Sequence, residues 1–136
     1  MSRSGYSDDY ENLGLYRQAV HRATTGYRGQ AFLRRLHDAL NAMPVKRLIT
    51  DAIKDENGEV CALGAVDANL RSDDYTAEDL ARHFGIATSL AAEIVYMNDE
   101  YHRDVLRWRD GTDETPEQRW ERMRAWVQKQ IGPDVE

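Results

Sequence analysis

Residues 78–96, EDLARHFGIATSLAAEIVY, decide the fold. Leu80 and Ala81 open an apolar face, Phe84-Gly85-Ile86 supplies a short turn, and Leu90, Ala91 and Ile94 resume the face at helical spacing. Two helices joined by a turn of this kind cross and bury each other as a helix-turn-helix pair. Thr76 precedes the pair as N-cap, with Asp79 three residues later to complete a capping box. A helix that reads duplex DNA carries Arg, Lys, Asn or Gln toward the base edges. This second helix offers Thr88, Ser89 and Glu93 instead, beside an apolar Leu90 with no obvious role in reading DNA.

Working outward, the pattern stays helical. Leu13, Tyr16, Ala19, Val20 and Ala23 mark a first helix that Thr25-Gly26 interrupts. Ser7-Asp8-Asp9 can cap it. Phe32, Leu33, Leu36, Leu40 and Met43 place a second from about Gln30 to Ala42. After Pro44, the residues Val45, Leu48, Ile49, Ala52 and Ile53 fall at i, i+3, i+4, i+7 and i+8, which predicts a third. Asn57-Gly58 fits the end of that helix or a tight hairpin turn; the helix end is favoured, with at most a minimal β bridge near residues 55–61. Residues 61–70, CALGAVDANL, predict a helix whose Cys61, Gly64, Ala65 and Ala68 permit close approach.

The second helix of the pair is expected to continue to about Trp108, followed by a loop at RDGTDE, 109–114. Thr115-Pro116-Glu117-Gln118 is a strong helix start, with a threonine N-cap, proline at the first position and Gln at the third. The last helix carries Trp120, Met123, Val127 and Ile131 on one stripe, with Trp126 beside it, and ends at Gly132-Pro133. These 136 residues therefore predict one all-α domain, 1–136, of six or seven helices.

Composition removes several classes of function. No apolar run approaches the roughly 18 residues of a membrane span, and the N-terminal MSRSGYSDDYEN lacks the apolar core of a signal peptide. One cysteine, Cys61, excludes an internal disulfide framework and fits a reducing cytosol, so a cytoplasmic location is expected. Its apolar surroundings predict a buried structural thiol rather than a nucleophile. Asp79 and His83, four apart, and Asp99 and His102, three apart, each share a helix face, but a metal needs three or four converging ligands. No phosphate-binding glycine loop and no acid pair in a shared pocket is present. The expectation is a protein that is not an enzyme and uses no cofactor or metal.

Charge is distributed unevenly. The net charge is −6, yet residues 1–50 hold eight Lys/Arg against four Asp/Glu, and residues 51–100 hold three against twelve. Such segregation can steer a charged partner, or it can be neutralised within the domain. Asp67, Asp73, Asp74, Glu78 and Asp79 are candidates to occupy a basic groove on a partner. Trp108, flanked by Arg107 and Arg109, is a candidate anchor, because Trp and Arg dominate protein–protein hot spots. The alternative set, Arg17, Arg28, Arg34, Arg35, Lys46 and Arg47 with Tyr16 and Tyr27 interleaved, would contact nucleic acid.

Three stretches taken together, RSGYSDDYENLGLYRQAVHRATTGYRGQAFLRRLHDALNAMPVKRLI, GEVCALGAV and ETPEQRWERMRAWV, resemble a group of small uncharacterised proteins encoded by bacteriophages and prophages. The resemblance covers most of the chain and carries no catalytic residues. It implies an accessory protein acting in the bacterial cytoplasm during infection or lysogeny. The expected function is non-catalytic binding that modulates or inhibits a host or defence-system protein, such as a CRISPR surveillance complex, with a homodimer as one arrangement. The alternative is a helix-turn-helix-like DNA-binding regulator using its basic N-terminal half.

Overall fold

The computed structural model describes residues 13–67, 69–70, 75–107 and 111–133, and side chains from residue 17 onward. Within these, six α-helices and one π-helical turn form an all-α arrangement without a strand: α1 (Leu13–Thr25), α2 (Tyr27–Ala42), α3 (Ala62–Val66), α4 (Ala77–Phe84), α5 (Thr88–Asp99), the π turn (His102–Leu106) and α6 (Pro116–Gln130). None of these helices is long and apolar enough to cross a membrane. The proposed cap at Ser7-Asp8-Asp9 lies outside the described residues.

Helix α5 is the axis of the structure, packing on α4, α1, α3 and α6. Leu90, Ala91 and Ile94 have no exposed surface, and Ala92, Glu93, Val95, Met97 and Asn98 are also buried. Around it, α2 contributes Phe32, Leu33, Leu36 and Leu40, α4 contributes Leu80, Ala81 and Phe84, and α6 contributes Met123 and Val127. Phe32 and Phe84 meet with ring centroids 5.2 Å apart. Leu90 is thus explained as a core residue.

Local chemistry sets the helix ends. Thr76 accepts from the Asp79 amide and the Asp79 carboxylate accepts from the Thr76 amide, the capping box expected for α4. Gly85 closes α4 in the left-handed region at φ 71°, a conformation that glycine adopts without penalty. Thr115 and Gln118 build the corresponding box for α6, with Pro116 at the first position. Trp120 and Trp126 lie half-buried against the core, and the Trp120 Nε1–H donates to the Leu40 carbonyl at 3.1 Å. The helix after Met97 does continue, but as the π turn after a break at Glu100.

Two expectations are corrected. Residues 44–53 form no helix, despite the helical spacing of their apolar side chains. Their backbone groups are taken by other elements: the Leu48 amide donates to Pro116 O and the Ile49 amide to Val60 O, while the Leu48, Ile49 and Ile53 carbonyls accept from Arg119, Asn98 and the Cys61 amide. Leu48 and Ile53 still reach the core, but from an irregular segment strapped across it. Asn57-Gly58 accordingly ends no helix. It is the turn of a minimal hairpin closed by an antiparallel bridge between Lys54 and Val60, with Asp55 Oδ1 accepting from the Asn57 and Glu59 amides.

The helix expected over 61–70 is also shorter, spanning only Ala62–Val66. Its small residues do allow close approach, though to the strap rather than to a helix. A Cβ on Gly64 would stand 2.3 Å from the Ile53 carbonyl oxygen. Helix α2 begins at Tyr27, three residues earlier than the apolar stripe alone marks it.

Candidate functional site

The described acidic candidates, Asp67, Glu78 and Asp79, differ in what they are bonded to. Asp67, at the end of α3, meets His83 Nε2 at 2.8 Å and accepts from the Asn69 amide at 3.0 Å. These hydrogen bonds, the one from His83 foremost, hold its carboxyl below the ordinary 3.8. Asp79 is committed to its capping box and to Arg82, and the Thr76 amide is the first cause that holds its carboxyl below the ordinary 3.8. Glu78 is exposed and lines an open recess of about 380 Å³ with Arg28, Arg82, Gly85 and Thr88. Asp73 and Asp74 lie outside the described residues, as do Trp108 and Arg109. Arg107 is exposed and lies 3.6 Å from Asp113.

The basic candidates divide into two groups. Arg17 pairs at 3.0 Å with Glu93, whose side chain is otherwise sealed in α5. Arg34 donates to Gly132 O beyond α6. Lys46 caps the end of α2 through Asn41 O and Met43 O and stands 5.3 Å over the Trp120 ring. Arg47 bridges Glu59 at 2.9 Å and Glu117 at 2.6 Å. Arg28 and Arg35 point outward, and the break at Gly26 puts Arg28 on a different helix from Arg17 and His21. Tyr27, at the tip of the α1–α2 hairpin, is 90% exposed.

The carboxylate–histidine pairs are not brought together. His83 turns to Asp67 rather than to Asp79. Asp99 accepts from the Asp51 amide and from Asn98, and His102 Nε2 meets Thr112 O. Among the described residues no three His, Cys, Asp or Glu side chains converge to hold a metal. Cys61 is 1% exposed, and its amide is bonded to Ile53 O.

Two buried polar constructions were not visible from spacing. Glu114, whose side chain is 5% exposed, receives a two-pronged contact from Arg122 at 2.6 and 3.0 Å and stands 3.3 Å from Arg119 Nε and 3.6 Å from His102 Nδ1. Arg122 also donates to Met97 O, and burial pulls the Arg119 guanidinium below its ordinary value against the attraction of Glu114. The knot ties the loop before α6 to the end of α5. Asn98 ties the other side: it accepts from the Ala62 amide at 3.1 Å and donates to Ile49 O at 2.9 Å. A polar residue inside the apolar run IVYMN was the available clue to Asn98. The Glu114 to Arg122 separation of eight residues offers none.

A concavity with an apolar wall lies at the other end of α2. An open groove of about 530 Å³ runs between Ala39, Ala42 and Met43 on one side and Val60 and Ala65 on the other. Val45 stands at its rim 60% exposed, and the Arg47–Glu59 pair closes one end. Its volume falls in the range of binding clefts, which are apolar with a few placed polar groups. No stretch of sequence announces it, because the walls come from α2, the strap, the hairpin and α3. Compared with known proteins, the chain matches no family model, no curated protein and no solved structure.

Proposed function

We propose that this chain is a non-catalytic binding protein that engages a protein of its host or of a host defence system and modulates or inhibits it. The apolar groove under Val45 carries the reading. A side chain as apolar as valine, left 60% exposed at the lip of an apolar cleft, adds to a surface that gains by being covered. The occupant that fits is an apolar side chain on a partner protein, with the Glu59–Arg47–Glu117 chain offering polar contacts at the rim. The resemblance to phage and prophage proteins supplies the setting. Glu78, exposed and free of the α4 capping box, is the acidic candidate suited to a second contact; Asp67 and Asp79 serve the fold.

In this reading the helix-turn-helix pair acts as scaffold. Its second helix is enclosed on nearly every side and has no face to lay in a DNA groove.

The test is capture from host lysate treated with nuclease, using wild type and the two groove variants Val45→Asp and Ala42→Glu. Both positions are exposed, so the fold should survive, as circular dichroism would verify. The expected result is one stoichiometric protein held by wild type and lost by both variants. A partner held equally by all three would remove the groove from the function.

A further inference from the structure

We propose that the outer face of the α1–α2 hairpin is a contact surface for single-stranded nucleic acid, with Tyr27 stacking on a base and Arg22, Arg28 and Arg35 meeting phosphates. None of these four residues lines the groove, and the proposal does not depend on it.

Residues 13–42 contain five arginines and a single acidic residue, Asp38, in a chain that is acidic overall. The structure separates those arginines by use. Arg17 and Arg34 are drawn into contacts with Glu93 and Gly132, whereas Arg22, Arg28 and Arg35 are exposed. On α2, Arg28, Ala31 and Arg35 follow at i, i+3 and i+7 and are all exposed, so they share one face, with the small Ala31 between two arginines about 10 Å apart along the axis. Tyr27 begins the same helix with its ring 90% in water. Aromatic rings give up a large burial gain when left in solvent, and a ring amid arginines is the arrangement on which unpaired bases stack.

The burial of α5 selects the form of nucleic acid. With α5, the helix that the helix-turn-helix pattern would offer as reader, inside the core, the exposed ring of Tyr27 amid cations favours an unpaired base over a duplex. Among the described residues, three opposing charges can be placed nearby. Asp67 attracts Arg35, Glu78 shares the recess of Arg28, and Asp38 lies one turn beyond Arg35.

Anisotropy of a fluorescein-labelled oligothymidylate, titrated with the full-length protein over a range of salt, tests the proposal. Three phosphate contacts on a single strand predict a log–log salt slope of about −2. Tyr27→Ala should weaken binding by about 5- to 150-fold, the range expected for one stacked base. The triple variant Arg22→Gln, Arg28→Gln, Arg35→Gln should bind far more weakly at low salt with a slope near zero, Glu78→Gln should tighten binding, and Val45→Asp should leave binding unchanged. All these residues are exposed, and unaltered melting would confirm that the variants fold. Absence of binding by wild type at low salt would overturn the proposal. So would wild-type affinity in both the Tyr27 and the arginine variants, or a preference for duplex that Tyr27→Ala does not change.

Discussion

The α4–α5 pair and the strap at 44–53 carry apolar residues at the same helical spacing, yet only the first is helical. Between α4 and the strap the difference lies at the ends. Helix α4 has Thr76 and Asp79 to satisfy its first amides and Gly85 to turn its last residues out. The strap would begin at Pro44, which is only permissive, behind Met43, whose side chain can cap nothing. Without a cap of its own, the strap finds partners for its backbone in Pro116, Val60, Cys61, Asn98 and Arg119. Periodicity reports which side chains will be buried; it does not report where the backbone bonds go.

The most damaging way to probe this contrast is Leu90→Ala, at the centre of the self-sufficient element. Leu90 is fully buried against several helices, so the variant should lose about 2–5 kcal/mol in chemical denaturation. A loss below 1 kcal/mol would contradict the axial role given to α5. Asn98→Ala strikes the borrowed bonds of the strap instead. It leaves the Ala62 amide and the Ile49 carbonyl without their partner and should cost about 1–3 kcal/mol. Hydrogen exchange should then quicken in 48–62 before it does in α4 and α5. Uniform quickening would mean that the strap and the helix pair open as one unit.

Thr76→Ala removes a cap and should cost about 1 kcal/mol, fraying only the first turn of α4. Acid attacks the same region. Asp79 and Asp67 both have carboxyls held below 3.8, so each stabilises the fold fully above that value, and the contribution fades as the pH falls through the lowered one. Acid unfolding of Asp79→Asn should therefore depend less steeply on pH below about 4 than that of wild type. The smallest effect is expected from Asp51→Gly in the strap. Asp51 adopts φ 66°, which glycine accepts freely at the cost of a more flexible unfolded chain, so the melting temperature should move by a degree or two at most. A large fall would assign Asp51 a role through its side chain.

The same contrast explains what could be read from sequence. The all-α class, both capping boxes, the turn at Gly85 and the core stripe of α2 were legible because each is a local pattern with a local cause. The strap and the groove were not, because each is completed by residues distant in the chain, whereas the hairpin, closed locally between Lys54 and Val60, was legible as the minimal bridge allowed near 55–61. The charged candidates were half legible. Residue type pointed to Arg17, Arg34, Lys46 and Arg47 as surface cations, but the fold spends them on Glu93, Gly132, the end of α2, Glu59 and Glu117. Arg28 and Arg35 passed from sequence to surface as read.

The last helix has a consequence for how the chain comes to be folded. Gln30 holds both Gln130 and Gly132, Arg34 holds Gly132, Leu40 receives Trp120 and Leu48 is bonded to Pro116, links of about 70 to 100 residues. A ribosome delivers α6 about 70 to 100 residues after the partners it binds, so α2 and the strap must wait for it. Until then Leu40 and Leu48 are without a lid, and the nascent chain presents the surface that chaperones hold. Docking of α6 is therefore a late step of folding, and a chain cut before Pro116 should be held at the stage that precedes it.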